Sequence, residues 1–219
     1  FGFFNVFVPI TDDNIVEGTE TLALQLTGID DDLIRLPSLN DPRAWAQVDI
    51  LDFDTALVNI LPEDDDAGES LFVTNPGSFK LSMSKPSSTN TTVNLAYGPS
   101  GLALGPLATG GVDYTVPLTV TIPAGQTEVI VPMTVLDDFV REDTENAYVR
   151  VQSIASGDPD ISVRQFTPFP GLTINAQAFI PILDNDSPII VPFFRFGGGE
   201  DDDDDGRKRG GVRDLPKSR

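Results

Sequence analysis

Carboxylates stand in two clusters that share the same internal spacing. The segment LDDFVREDTE occupies residues 136–145 and the segment TDDNIVEGTE occupies residues 11–20, at an offset of 125 residues. The clusters share four acids at matching positions within nine residues, namely Asp137, Asp138, Glu142 and Glu145 in the later one and Asp12, Asp13, Glu17 and Glu20 in the earlier one. Because like charges at this spacing repel one another, the clusters are costly without a counterion and favour a bound cation.

The segments that follow the clusters also match, which indicates a tandem repeat. ILDFD at residues 50–54 corresponds to ILDND at residues 182–186 at an offset of 132, so the second copy carries seven extra residues between its acidic cluster and its last strand. We divide the chain into copy one at residues 1–54, copy two at residues 55–190 and a low-complexity tail at residues 191–219. The composition of the tail predicts disorder.

Composition excludes several classes of function. The formal net charge of −20 comes from the two copies, because the tail holds seven acids and seven bases. An acidic surface repels nucleic acid and anionic lipid. The chain has no Cys and no His, which excludes disulfides, thiolate nucleophiles, the common zinc sites and the usual general base.

The ends and the apolar runs of the chain bear on its context. No apolar run is long enough to span a membrane, so we expect no direct membrane insertion in this segment. The opening FGFFNVFVPI has neither an initiator Met nor a basic n-region, and it is expected to belong to a longer protein.

Alternating apolar residues and turn residues predict strands throughout, without a helix. Copy two shows seven predicted strands, at residues 57–61, 78–83, 91–97, 116–122, 128–136, 145–151 and 177–183. Copy one shows three, at residues 4–10, 22–26 and 46–51. We therefore predict an all-β, antiparallel, immunoglobulin-like sandwich of about seven strands, complete in copy two and preceded by the C-terminal half of another in copy one.

The order of the strands brings the acids of copy two to one end of the predicted sandwich. The strand at residues 128–136 ends at Asp137 and Asp138, and the next strand starts at Glu145, at the same end of the sandwich. That strand runs to the far end, and the strand at residues 177–183 returns, which brings the acids after it back to the first end. Eight carboxylates share this end, those of Glu69, Asp113, Asp137, Asp138, Glu142, Glu145, Asp184 and Asp186. Calcium suits them best, since it takes six to eight oxygen ligands in flexible geometry, whereas magnesium keeps its waters.

Three segments of copy two resemble the Calx-beta domain, the calcium-binding sandwich of sodium/calcium exchangers, integrin β4 and many large surface proteins. They are AGESLFVTNPGSFKL, GGVDYTVPLTVTIPAGQTEVIVPMTVLDDFVREDTE and AQAFIPILDND. The resemblance implies calcium ligands in copy two at the eight carboxylates and at the Val140 carbonyl. In copy one it implies ligands at Asp12, Asp13, Ile15, Glu17, Glu20, Asp52 and Asp54. Phe53 stands where exchanger domains commonly carry an Asp, which removes one oxygen from copy one.

Other acids and aromatic residues are assigned structural roles. We expect the acids at residues 63–66 to be solvated, those at residues 30–32 to lie at the opposite end of the sandwich, and Trp45 to lie in the core. Paired carboxylates also serve glycosidases, but such a site needs one carboxyl held neutral in a partly apolar pocket. Here each acid is surrounded by other acids, so we expect no enzyme.

The sequence thus predicts a calcium-binding structural or adhesive repeat of a larger extracellular or cell-surface protein, with calcium stiffening the junction between repeats. Its expected partners are calcium ions, neighbouring repeats of the same chain, and other surface proteins or matrix. Two alternatives stay open. One is a metal-free spacer or adhesion repeat of the same fold, and the other is a calcium-sensing regulatory region of a membrane transporter.

Overall fold

Strands account for nearly all of the regular structure. The computed structural model describes residues 5–28, 38, 44–69 and 75–186, and these belong to the first of two compact units, Phe1–Ser187 and Pro188–Arg219. The tail and the acids at residues 30–32 lie outside the described residues. Among the described residues there is no α-helix, and so none long and apolar enough to cross a membrane.

Fifteen strands follow one another along the described chain. Copy one contributes β1 (Glu20–Gln25) and β2 (Trp45–Ile50). The strands of copy two are β3 (Ala56–Asp64), β4 (Ala67–Gly68), β5 (Ser78–Met83), β6 (Thr91–Tyr97), β7 (Tyr114–Thr115), β8 (Thr119–Ile122), β9 (Glu128–Pro132), β10 (Thr134–Val135), β11 (Glu145–Ser156), β12 (Ile161–Val163), β13 (Gln165–Phe169), β14 (Leu172–Asn175) and β15 (Gln177–Leu183).

Copy two is a two-layered sandwich, which confirms the predicted all-β, immunoglobulin-like class. One sheet has the strand order β4-β15-β11-β6-β8 and the other has the order β12-β3-β5-β9. The pairing is antiparallel except for β12 with β3 and β15 with β4, which run parallel. Alternation builds the core between the layers, as in β5, where Phe79, Leu81 and Met83 are buried and the serines and lysine between them are not.

The two strands of copy one pair in the register of their counterparts in copy two. Glu20 lies opposite Ile50 in the β1–β2 ladder, and Glu145 lies opposite Ile182 in the β11–β15 ladder. The two offsets of the sequence repeat are therefore both kept in the structure. The extra residues of copy two fall in the connection between β11 and β15, which forms β12 and the β13–β14 hairpin.

Two predictions for copy one are wrong. No strand forms at residues 5–10, although their counterparts in copy two form β9 and β10. The reason is pairing, because β9 pairs with β5 and β10 with β7, and no strand in the described part of copy one corresponds to β5 or β7. Trp45 does not lie in a core, since 48% of its surface is exposed.

Candidate metal centre

Strand pairing explains why the acids of copy two meet. In the parallel β15–β4 pair Leu183 lies opposite Gly68, so Asp184 and Glu69 leave the sheet side by side. Glu145 starts β11 beside the end of β15. The Leu136 amide donates to the Asp113 carbonyl at 2.8 Å, which ties the loop after β10 to the residue before β7.

The acids surround a narrow cavity of about 10 Å³, roughly the room that a single water or ion centre needs. Carboxylates line most of it, those of Glu69, Asp113, Glu142, Asp143, Glu145 and Asp184, with Ala108 and Ile182 beneath. One carboxylate oxygen from each of Glu69, Asp184 and Asp186 lies within 4.8 Å of the others. This separation allows one cation to contact all three oxygens.

Hydrogen bonds from the backbone hold the carboxylates in place. Asp184 accepts from the Glu142 amide through Oδ2 at 2.9 Å and from the Asp186 amide through Oδ1 at 2.7 Å. Asp138 accepts from the Val140 amide at 2.6 Å, and Asp137 accepts from the Asn185 side chain at 2.8 Å. The donors use some oxygens and leave the others free for a ligand.

Burial and mutual repulsion make the site unfavourable for charge. Burial first, and then the charges of Asp184 and Asp138, raise the pKa of Glu69 to about 7. Burial followed by neighbouring carboxylates also raises the pKa of Glu142, Glu145 and Asp186. Asp184 differs, because its two backbone donors lower its pKa. A divalent cation would remove the repulsion that raises the pKa of the other acids.

Calcium suits the residues present. Oε2 of Glu69 and Oδ2 of Asp186 are buried and accept no hydrogen bond, which is costly unless a cation or a donor faces them. Every available donor atom is an oxygen, and oxygen donors in this number are the ligands of a hard cation such as calcium. The fit rests on these two oxygens as much as on the number of acids.

The structure brings all eight predicted carboxylates of copy two to this end. Six of them line the cavity or share the three-oxygen group, and Asp137 and Asp138 lie near enough for their charges to raise the pKa of Glu69. Val140 lies in the same loop with an exposed side chain. Asp143 also lines the cavity, although the sequence did not predict it as a ligand. The comparison of the repeats missed it because the matching residue in copy one is Gly18.

Copy one forms half of the same arrangement. A wider cavity of about 140 Å³ is lined by the acids Asp12, Asp13, Glu17, Glu20 and Asp52. The three loop hydrogen bonds that backbone amides donate in copy two recur here, from Ile15 to Asp13 at 2.8 Å, from Glu17 to Asp52 at 2.7 Å and from Asp54 to Asp52 at 3.0 Å. No acid in the described part of copy one corresponds to Glu69 or Asp113. Its predicted ligand Asp54 does not line the cavity and instead forms an ion pair with Lys85 of copy two.

The acidic loop of copy one is also attached to copy two, which the sequence did not predict. Val16, between Ile15 and Glu17, is fully buried in the core cluster of copy two. Its amide donates to the Pro86 carbonyl at 2.9 Å, and its carbonyl accepts from the Ser88 amide at 3.0 Å. The candidate site of copy one therefore lies at the junction between the copies.

Comparison with known proteins gives one family and several solved structures. The model of the Calx-beta domain matches residues 2–54 and 106–186. A two-domain protein of unknown function from Bacteroides fragilis matches with 17% identity and a TM-score of 0.41, over 60% of this chain and 46% of that one. The apo-form Calx CBD1 domain matches with 18% identity and a TM-score of 0.37, over 59% of this chain and 99% of that one.

A further structure, CBD12 from CALX1.2, matches with 20% identity and a TM-score of 0.37, over 58% of this chain and 46% of that one. The chain thus spans less than half the length of two of the three structures. No curated protein matches the chain in sequence.

Proposed function

The chain belongs to the Calx-beta domain family, whose members bind calcium, and on this basis we propose that it is a calcium-binding structural or adhesive repeat of a larger extracellular or cell-surface protein. The observation that carries the proposal is the pair of buried, unpartnered oxygens of Glu69 and Asp186 within one group of carboxylates. The family is a binding and regulatory one rather than an enzymatic one.

The proposed ligands of copy two are the acids that the backbone already orients. Glu69, Asp184 and Asp186 form the innermost group, and Asp113, Glu142 and Glu145 close the cavity around them. Asp137, Asp138 and the Val140 carbonyl are proposed as ligands from the loop beside this group, where Asp138 accepts the Val140 amide. Bound calcium would offset the repulsion among these acids, and no step of covalent chemistry is involved.

An extracellular or surface setting accords with the character of the site. Calx-beta domains occur in membrane or extracellular-facing proteins. Extracellular calcium modules bind in the range of about 10⁻⁴ to 10⁻³ M, and affinity in this range is expected for the site. Other surface proteins or matrix would then be the partners of the assembled repeats.

A melting experiment on the full chain tests calcium binding. At calcium one hundredfold above its dissociation constant, one site stabilises the folded chain by about 2.7 kcal/mol. For a chain of this size that corresponds to a rise of about 5–10 °C in melting temperature relative to chelator. Magnesium at the same concentration serves as the control and should give a much smaller rise. A melting temperature that is the same in calcium and in chelator would count against the function.

Calcium affinity should also decrease as the pH decreases, because a protonated ligand carboxylate must lose its proton before it binds the ion. Folding raises the pKa of Glu69 from 4.5 to about 7, so the stability contributed by its proton is fully present below pH 4.5 and is lost as pH rises through 7. Calcium competes with that proton, and titration calorimetry should show affinity about tenfold lower at pH 6 than at pH 8. Glu69→Gln should lose most of this dependence, whereas Glu63→Gln should keep it. Equal affinity at both pH values would contradict the role of Glu69.

The proposal includes a mechanical role for calcium at the junction. Without ions, the acids around the loop that carries Val16 repel one another, namely Asp12, Asp13, Glu17, Glu20 and Asp52. Calcium would fix this loop and with it the contact of Val16 with copy two. Copy one and copy two would then move as one body.

Distance measurements between spin labels test the stiffening. The chain has no Cys, so the label attaches only at the introduced residues Ala23→Cys and Gln152→Cys, both at exposed positions. The distance between the two labels is the distance from copy one to copy two. The distance distribution should be narrower in calcium than in chelator. A pair within copy two, Thr121→Cys with Gln152→Cys, provides the control and should not change. Equal widths for the first pair in both conditions would remove the mechanical role and leave calcium binding intact.

A further inference from the structure

The start of β6 carries a short motif that the calcium sites do not use. Asn90, Thr91 and Thr92 form the triplet Asn-x-Thr, in which x is not proline. In secreted proteins a triplet of this kind is an acceptor for N-linked glycosylation, and the asparagine lies in a surface loop. A second triplet, Asn-Asp-Ser, begins at Asn185. The surroundings of the two asparagines differ.

The side chain of Asn90 is exposed, and its nitrogen is free. The residue lies in the connection between β5 and β6. Its Oδ1 accepts the Ala124 amide at 2.9 Å, whereas its Nδ2, the atom to which a glycan is attached, donates to none of the described residues. Copy one contacts the same connection through Val16, but it does so at Pro86 and Ser88. The Asn90 side chain is therefore held in place by its oxygen and presents its nitrogen to solvent.

Asn185 lies in a different environment. Its Nδ2 donates to Asp137 at 2.8 Å beside the candidate metal centre. The middle residue of its triplet is Asp186, whose Oδ2 is buried in the group of proposed ligands. A glycan on Asn185 would crowd the acids that hold the ion. We therefore expect this second triplet to stay unmodified.

Strand pairing places Asn90 at the end of copy two that is remote from these acids. Thr92 lies opposite Ser156, the last residue of β11, whereas Glu145 starts β11 at the acidic end. The turn that contains Ala124 joins β8 to β9, which are the outer strands of the two sheets. No described strand pairs with the outer edge of either one. A bulky, solubilising group on Asn90 is accommodated at this surface.

We propose that Asn90 is a site of N-linked glycosylation. The inference rests on the extracellular setting of the proposed function, because the modification takes place on chains that enter the secretory route. The sugar donor is an oligosaccharide joined to a lipid through a diphosphate, and a membrane-bound transferase catalyses the step. Nδ2 of Asn90 forms a bond to the anomeric carbon of the first sugar and gives up one proton. The bond from that carbon to the diphosphate oxygen breaks, and the lipid diphosphate leaves.

Secretion of the full chain from animal cells, directed by an added leader peptide, tests the proposal. Enzymatic release of the glycan in heavy-oxygen water converts the modified asparagine into a labelled aspartate, which mass spectrometry locates. The label should be found at Asn90 and not at Asn185. Thr92→Ala should abolish it, whereas Thr92→Ser should retain it because the hydroxyl of the triplet is kept. Thr89→Ala, in the same connection but outside the triplet, is the matched control and should retain the label.

Calcium titration of the same secreted chain keeps this proposal distinct from the proposed function. Unmodified Asn90 in a secreted chain that is folded and binds calcium would overturn the glycosylation site and leave the calcium function intact. A glycan on Asn90 of a chain that binds no calcium would have the reverse meaning. A label that persists in Thr92→Ala, or that is found at Asn185 in place of Asn90, would also overturn the proposal.

Discussion

Replacing Asp184 with Asn is expected to weaken calcium binding by copy two at least about 100-fold, since even residues that only orient a metal ligand cost 10-fold to 100-fold when changed. Asp184 has two roles. Its oxygens belong to the group that includes Glu69 and Asp186, and they also accept the amides of Glu142 and Asp186. An Asn side chain has one acceptor oxygen instead of two and no charge, so it cannot retain both amides and bind a cation.

Asp160→Asn is the matched control, because it makes the same change of charge at an exposed acid outside the cavity. It should keep the calcium affinity of the unaltered chain. Titration calorimetry gives both affinities, and circular dichroism in chelator checks that each variant is folded. Similar affinities for the two variants would mean that Asp184 is not a ligand.

Replacing Val16 with Asp is expected to detach the acidic loop of copy one from copy two. Val16 is fully buried among apolar residues of copy two. Leaving an unpaired charge in such a place costs about 3–5 kcal/mol, more than the two backbone hydrogen bonds of the loop contribute at about 1 kcal/mol each. The loop should therefore leave its pocket rather than bury the charge.

Spin labels at Ala23→Cys and Gln152→Cys should then show a broad distance distribution even in calcium. Asn14→Asp adds the same charge two residues away at an exposed position and should leave the distribution narrow. The melting temperature of copy two should fall in Val16→Asp, because its core loses a buried side chain, and should change little in Asn14→Asp. A narrow distribution in Val16→Asp would show that other contacts, such as the pairing of Lys85 with Asp54, hold the junction.

Local pattern predicted the central strands of copy two well. The predicted bounds of β5, β6 and β15 agree with the structure to the residue, because each has strict alternation and a turn or loop signal at its ends. The gathering of the acids followed from the order of these strands alone. The bounds of these strands and the meeting of the acids at one end of the sandwich could therefore be predicted from the sequence.

Features that depend on a distant partner could not be predicted in this way. Residues 5–10 alternate as β9 does, yet they form no strand, because a strand needs a neighbour to pair with. Val16 lies in an acidic loop, where nothing in the local sequence distinguishes a buried residue from a solvated one. Asp54 has the spacing of a ligand, but Lys85 lies close enough to pair with it. Trp45 alternates like a core residue, but among the described residues its side chain is left half exposed.

The most direct test of the account is a calorimetric titration of the full chain with calcium, after removal of metal by chelator and against a constant background of magnesium. The account predicts saturable binding with a dissociation constant of about 10⁻⁴ to 10⁻³ M, the range of extracellular calcium modules. It also predicts that magnesium competes only weakly, since the cluster offers many oxygens and little room for retained waters. No saturable binding at millimolar calcium, by a chain that circular dichroism shows to be folded, would contradict it.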